Sequence, residues 1–470
     1  MFELIQQDIK KHITLIGSGG CGNNIAVGLV DSLRKEPDIG DIYLYPMNLD
    51  KQELLTAWQN VYKKKDRKKF LDICTKIDND VISNINYQPI FIDPGLTGTD
   101  KNPPKGKILF QKFLKSTPDA LDMILSTDQI YTVNNIGGGT GCGVNGEVIK
   151  ALRRRATIND DDIKSDKQYQ TYSEFVSFTV FPYRLIDTNY KLCARYGFVE
   201  NCKNADLSIL IENDYILEKF RGRKQITPFI FKWVNDIINR VIMIMIAANV
   251  RGIHGKINYG EITNRIREMD YYHSDDIKWV VPFIFPTPGK KLKEQSQMVL
   301  KKNYTKRDRK EWEGMSPFQK VVQYTLDHGN LCELNEELGF DHVKRAIVFV
   351  EAPPRYIFQK DELEKGLQVI ADKFEIENKD IRLFQIEPND DNVIRLVVLA
   401  YPLVPNCLFT MLKGDEDEKI DRSRDWTDVL NKMNLTEEEK KRGMGFSEEV
   451  LASDEEIIRM IKAVANHFPS

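Results

Sequence analysis

Asn135-Ile136-Gly137-Gly138-Gly139-Thr140-Gly141-Cys142-Gly143 is the stretch that decides how this chain is read. Its last seven residues hold five glycines and one threonine. Glycine lets the backbone visit positive φ and lets another body come within contact distance of the main chain. Successive N–H groups in such a turn form a nest for phosphate. A strand-like run, Ile130 to Val133, precedes the stretch, and a helical pattern, Glu147 to Arg154, follows it. The nest therefore opens a helix N-terminus, where the dipole also favours anions. The Thr140 hydroxyl adds a donor. A floppy glycine linker would lack the strand and helix that bracket this segment.

A second glycine cluster lies near the start, in Ile16-Gly17-Ser18-Gly19-Gly20-Cys21-Gly22-Asn23-Asn24. It follows the strand-like run His12 to Ile16 and opens a helix-like run from Ile25 to Leu33. Gly17, Gly19 and Gly22 fit the dinucleotide fingerprint G-x-G-x-x-G. The pair of clusters is more specific than either alone, because a dinucleotide fold does not need the second box.

Together these residues resemble the tubulin/FtsZ family of GTPases. The first cluster, with Gly19, Gly20, Cys21, Gly22, Asn23 and Asn24, is similar to that family's first phosphate loop. Gly137, Gly138, Gly139, Thr140, Gly141, Cys142 and Gly143 match its signature G-G-G-T-G-x-G, with Cys142 at the variable place. Asn48 and Asp50 resemble the N-x-D loop that approaches the nucleotide and its Mg²⁺. Gly95, Thr97, Gly98 and Thr99, followed by Asn102-Pro103, look like the loop facing the γ-phosphate. Phe181-Pro182 is similar to the loop beside the ribose. Asn213, in Glu212-Asn213-Asp214, resembles the residue that reads guanine, and Phe231 and Asn235 the aromatic that stacks on it and the polar residue that pairs with its edge. Trp233 to Val250 is similar to the buried central helix, and Asn258-Tyr259-Gly260-Glu261 to the loop that enters the next subunit's site.

The resemblance spans about residues 12 to 402 and has three departures. The FtsZ loop before the central segment ends D-F-A-D; here the acids fall on Asn258 and Glu261. The α form of tubulin and some plasmid partition members also use Glu at the second place. The ribose-binding Glu and Arg fall on Ile186 and Tyr190 in an ungapped reading, whereas a one-residue slip gives Asp187 and Lys191, and both readings stay open. The tail carries no obvious FtsZ C-terminal peptide.

The resemblance implies a GTP/GDP site with Mg²⁺, and no metal ligand is assigned among the side chains. It implies an assembly-dependent GTPase that polymerises head to tail, with Glu261, beside Asn258, completing the neighbour's site. The absent FtsZ tail, Glu261 and the length resemble most the plasmid and phage TubZ/PhuZ-type members. The cargo is then plasmid, phage or cell-division machinery, with an adaptor linking the filament to DNA or a phage particle.

The residues carry rival readings. Glu261 also suits the N-terminal turn of a helix over Ile262 to Met269, where the dipole favours an acid. Phe231 suits a core position, Asn213 a turn and Asp50 a helix cap. Thr75-Lys76-Ile77-Asp78 resembles the guanine motif of P-loop GTPases, but the chain has no G-x-x-x-x-G-K-[ST]. An NAD-dependent oxidoreductase wants an acid at the end of the second strand. That strand ends Tyr45-Pro46-Met47-Asn48, and the Gly137 loop would go unexplained. A GTP-binding regulator that does not polymerise is the third class.

At 470 residues the chain can bury one large core or two moderate ones. Its formal charge of −3 gives no global basic excess for nucleic acid, and the runs at Lys63 to Lys69 and Lys290 to Arg307 read as solvated faces. The seven cysteines form no C-x-x-C and read as reduced, cytoplasmic thiols. No signal peptide is visible at the start. The most apolar helix, Val241 to Val250, is about half the length needed to span a bilayer, so no membrane span is expected.

The expected fold class is α/β. Residues 1–231 form a Rossmann-like GTP-binding domain, 232–256 a long central helix, 257–407 a smaller α+β domain and 408–470 a charged helical tail. Strands are expected at Ile13 to Ile16, Ile42 to Tyr45, Ile130 to Val133, Phe175 to Phe181 and Leu207 to Ile211, in a mainly parallel sheet. Arg153 to Ser173 reads as an exposed insertion. Ile381 to Ile386 and Val393 to Ala400 read as paired strands joined by the turn run 387–392.

Overall fold

In the computed structural model the described residues are 12–33, 41–62, 80–82, 85–92, 99, 103–121, 124, 129–162, 174–183, 188–218, 228–252, 278–285, 312–335, 338, 340, 342–352, 360–386, 394–412, 455–461 and 464. Apolar runs become strands and the segments between them become crossover helices. The order is β1 (His12–Ser18), α1 (Gly19–Leu33), β2 (Asp41–Asn48), α2 (Lys51–Tyr62), β3 (Asp80–Ile82), β4 (Ile85–Tyr87), β5 (Ile90–Phe91), α3 (Pro103–Ser116), β6 (Gln129–Asn135) and α4 (Gly139–Asp162). There follow β7 (Glu174–Phe181), α5 (Thr188–Asn204), β8 (Leu207–Glu212), α6 (Asn213–Glu218), α7 (Pro228–Arg251) and β9 (Trp279–Ile284). The last part contains α8 (Pro317–His328), β10 (Arg345–Glu351), α9 (Lys360–Phe374), β11 (Ile381–Ile386), β12 (Arg395–Tyr401) and α10 (Asn406–Leu412).

The strands form one twelve-stranded sheet in the order β11-β10-β12-β9-β8-β7-β6-β1-β2-β4-β3, with β5 also on β2. From β2 through β9 neighbouring strands run parallel. Their side chains are buried nearly throughout, as expected when helices cover both faces. β9 joins the two halves: it runs parallel to β8 on one side and antiparallel to β12 on the other. Trp279, at the start of β9, is fully buried, and its indole N–H donates to the Leu403 carbonyl at 3.1 Å.

β11 and β12 do not pair with each other, contrary to the hairpin expected from the turn run between them. β10 lies between them, parallel to β11 and antiparallel to β12. The sequence Arg345-Ala-Ile-Val-Phe-Val-Glu351 is buried from Ala346 onward and takes the central position. β11 keeps exposed or half-exposed Arg382, Leu383 and Gln385 and takes the edge. The helical pattern of α9 supplies the crossover that makes β10 and β11 parallel.

α7 is apolar around most of its circumference, with Ile238, Val241, Ile242, Met245 and Ile246 fully buried. It packs against α1 and against β10 to β12. Its direction opposes that of the parallel strands. Near its C-terminus Asn249 accepts from the Gln129 amide at 2.9 Å and donates to the Tyr131 hydroxyl at 3.0 Å. Gln129 is the first residue of β6, whereas the glycine loops lie at the strand's other end, roughly 20 Å away for seven residues. Gly252, just past α7, bridges Ile386 of β11. Among the described residues no helix is long and apolar enough to cross a membrane.

α4 begins at Gly139 and reaches Asp162, so the glycine signature supplies its first turns and the acidic Asp160 to Asp162 run ends the helix. The expected exposed insertion is therefore helical up to Asp162. In the tail, residues 455–461 are helical. Ile457, Met460 and Ile461 are buried, and Glu456 ion-pairs Lys203 of α5 at 2.5 Å.

Candidate nucleotide site

Both glycine loops line one pocket of about 420 Å³ at the C-terminal ends of β1, β2, β6 and β7. Ligands of open α/β sheets bind at this edge. Gly19, Gly20 and Cys21 form one wall; Gly137, Gly138, Gly139, Thr140 and Gly141 form the floor. Gly19 has φ +73°, and a Cβ there would lie 3.1 Å from the Gly141 nitrogen. The two loops thus touch through backbone, which only glycine permits at this angle. The N-termini of α1 and α4 converge on the same space, so two helix dipoles and their free N–H groups face it.

Asn48 and Asp50 also line the pocket. Asn48 holds the turn after β2: its Oδ1 accepts from the Leu49 and Asp50 N–H groups at 2.8 and 3.2 Å. Asp50 caps α2, its Oδ1 accepting from Gln52 and Glu53 at 2.7 and 3.2 Å. The cap and the pocket position coexist in one residue. Thr99 is buried at the pocket, with its hydroxyl 3.3 Å from that of Thr140.

Four expected residues of the two loops lie off the pocket lining. Gly22 packs under β6, where a Cβ would lie 2.3 Å from the Val133 carbonyl oxygen. Asn24 is exposed and Asn23 is buried. The Cys142 thiol donates to the Ile136 and Cys193 carbonyls, and burial pushes it well above the usual thiol range. Cys21 is pushed up to about 12 by burial. Neither is a thiolate at neutral pH. The six described cysteines are all free thiols.

Of the two ribose readings, Tyr190 lines the pocket beside Pro182 and Tyr183. Lys191 is buried off the lining, and Asp187 lies outside the described residues. Asn213 is buried at the start of α6 with its Oδ1 unpartnered. Tyr183 lies within electrostatic reach of both Cys21 and Asp214, so the start of α6 adjoins this end of the pocket. Asn235 is half-buried on α7; Phe231 lies on the same helix. Gly95, Thr97, Gly98, Asn258 and Glu261 lie outside the described residues.

Three further features escaped sequence reasoning. Glu53 reaches back from the first turn of α2 into the pocket, accepting from the Asn48 amide at 2.6 Å and covering Gly20. Its spacing, three residues after the capping Asp50, was the available signal. Tyr183 carries no motif. Beneath the floor lies a buried amide network. Asn145 donates to Asn201 at 2.9 Å, and Asn201 donates to Asn134 and Thr179 at 2.9 Å each. Asn134 donates to the Gly141 carbonyl at 3.0 Å. Polar residues inside apolar strands and helices were the signal for it.

Residues 12–220 match the tubulin/FtsZ family GTPase domain. No curated protein matches the chain. Among solved structures, CetZ from Methanosaeta thermophila strain DSM 6194 superposes with a TM-score of 0.57 at 15% identity, over 97% of this chain and 100% of that one. The GTPgS-bound protofilament of CetZ2 from Haloferax volcanii gives 0.56 at 15%, over 85% and 96%. The empty FtsZ dimer of M. jannaschii gives 0.53 at 16%, over 84% and 89%. The fold is that of tubulin and FtsZ, an N-terminal nucleotide domain followed by a C-terminal domain on the same sheet.

Proposed function

We propose that this chain is a GTP-binding and GTP-hydrolysing cytoskeletal protein that assembles head to tail into filaments. The observation that carries the reading is the single pocket at the strand ends, lined by both glycine loops and by two helix N-termini. A dinucleotide enzyme has no use for the second loop. The match of residues 12–220 to the family GTPase domain supports the same chemistry.

Phosphoryl transfer needs positioning and electrostatic stabilisation more than covalent groups. The backbone of Gly137 to Gly141 and the Thr140 hydroxyl would hold the phosphates. Asn213 offers an unpartnered buried carbonyl oxygen, and guanine presents N–H donors on the edge that such an acceptor reads. Asn23 carries a buried amide with neither end partnered, a second polar group to satisfy. The Asp50 and Glu53 carboxylates beside the nest are the hard oxygen donors that Mg²⁺ takes, together with phosphate oxygens. That ion, when bound, would neutralise charge on the terminal phosphates.

α7 ends at the pole opposite the pocket, and the Asn258 to Glu261 segment, which follows it in sequence, resembles the loop that enters the adjacent copy's site. In this reading Glu261 orients the attacking water in the adjacent copy, with Asn258 beside it, and hydrolysis requires assembly. The relatives described as a protofilament and as a dimer are consistent with self-association. The narrower reading, a plasmid- or phage-type filament moving DNA or phage cargo through an adaptor, rests on Glu261.

The deciding test measures GTP and ATP binding, then GTP turnover against protein concentration, with negative-stain images in GTP and in a slowly hydrolysed analogue. Preference for GTP, turnover rising more steeply than concentration and visible filaments are expected. Equal affinity for ATP removes the guanine assignment. Turnover strictly proportional to concentration, with no filaments, leaves a GTP-binding regulator instead.

A further inference from the structure

A second cluster of chemistry-bearing side chains lies where β8 meets the C-terminal half, apart from the nucleotide pocket. Glu212 is the last residue of β8, Cys332 follows α8 in the segment 330–335, and Cys407 lies in the first turn of α10. All three are buried, at 7%, 0% and 1% exposure. One carboxylate oxygen and the two sulfurs lie within 4.8 Å of one another. It is the one group of three such ligands among the described residues.

We propose that Glu212, Cys332 and Cys407 form a binding site for a thiophilic divalent cation of the Zn²⁺ class. Two sulfurs and one carboxylate suit Zn²⁺, whereas Mg²⁺ and Ca²⁺ take oxygen alone. Tetrahedral Zn–S geometry puts two sulfurs about 3.8 Å apart, so these atoms need close by no more than roughly 1 Å. Three protein ligands leave the fourth position for a single water or another small ligand.

The backbone around the cluster is fixed by hydrogen bonds. Glu212 accepts from the Glu333 N–H at 2.9 Å, and its own N–H donates to the Leu331 carbonyl at 2.8 Å. The Asn406 N–H donates to the Glu333 carbonyl at 2.7 Å, and its side-chain amide to the Glu333 carboxylate at 3.0 Å. Such outer contacts hold ligands in place before a metal arrives. Binding displaces both thiol protons and the Glu212 carboxyl proton to the solvent and leaves two sulfur–metal bonds and one oxygen–metal bond. The bound ion would cross-link the strand end that precedes Asn213 to the segments at Cys332 and Cys407. This inference does not depend on GTP binding.

The test uses the full chain, purified with reductant and stripped of metal, and titrated with Co²⁺ and then Zn²⁺. One equivalent of Co²⁺ should give a thiolate charge-transfer band and intense tetrahedral d–d bands, which Zn²⁺ abolishes. Cys332→Ser and Cys407→Ser should each lose the charge-transfer intensity, and Glu212→Gln should weaken binding more than tenfold. Circular dichroism of the metal-free variants checks that they fold. In the wild type Zn²⁺ should raise the melting temperature, and in Cys332→Ala/Cys407→Val it should not. The proposal fails if the wild type shows no cobalt–thiolate band. It fails equally if the band survives both serine variants, or if mass spectrometry finds Cys332 and Cys407 joined as a disulfide under the same conditions.

Discussion

The hydroxyl groups of Thr99 and Thr140 lie 3.3 Å apart, both buried, Thr99 four residues before α3 and Thr140 at the centre of the glycine signature. The contact ties the loop expected to face the γ-phosphate to the loop expected to hold the phosphates. Thr140→Ala should weaken GTP and GDP together, by about 1–3 kcal/mol for a lost desolvated donor. Thr99→Val should act mainly on GTP. Titration of each variant with fluorescent GTP and GDP checks the split, and equal losses in Thr99→Val would detach Thr99 from the terminal phosphate.

Glu53 places a carboxylate over Gly20, where phosphates are expected. Without a metal it should repel them, and with Mg²⁺ it should help to hold them. Glu53→Gln should therefore bind GTP more tightly in EDTA, by roughly tenfold if a few kcal/mol of charge repulsion is partly screened. Its gain in affinity on adding Mg²⁺ should shrink. Calorimetry with and without Mg²⁺ reads both effects, and identical Mg²⁺ dependence in the two proteins removes Glu53 from the ion.

If Glu261 acts in the adjacent copy, as proposed, Glu261→Ala should bind GTP with nearly wild-type affinity and still assemble. Turnover should fall by about 10² or more, the scale of a lost water-orienting group. Mixing it with a variant whose phosphate loop is blocked, such as Gly139→Trp, should restore some hydrolysis at hybrid contacts, where one copy offers an intact pocket and the other an intact Glu261. Loss of GTP binding in Glu261→Ala would mean that the residue supports its own site.

Asn201 should matter for stability although it touches no ligand. It donates to Asn134 and Thr179 and accepts from Asn145, all inside the core. Asn201→Leu removes one hydrogen bond from each of three buried polar groups and should destabilise the fold by about 2–4 kcal/mol, more than an ordinary surface change. Thermal unfolding measures this. A melting temperature within error of the wild type would show that the network rearranges at little cost.

The parallel half of the fold was legible because both-face burial makes its strands continuous apolar runs, as in Ile130 to Val133 and Leu207 to Ile211. The glycine boxes were legible because close backbone approach excludes other residues at Gly19 and Gly22. The order of the last strands was not. A turn run between Ile386 and Arg395 suggests a hairpin, yet nothing local says that β10 takes the place between them. Glu53 and Tyr183 escaped notice because each reads as an ordinary helix or loop residue until the fold brings it to the pocket. The Asn134, Asn145 and Asn201 network was hidden for a related reason: its members lie in different elements, and only packing makes them partners.

β9 belongs to both halves of the sheet at once. A chain whose domains hang on a linker can hinge freely, but here the halves share a strand: β9 pairs with β8 through Trp279 on Ser208 and Val280 on Ile209, and with β12 at four positions. Movement of one half against the other therefore bends the sheet around β9 and draws on α7, which packs against α1 and against β10 to β12. The two halves are thus coupled through a shared strand and a shared helix, and a displacement of either is felt at the other.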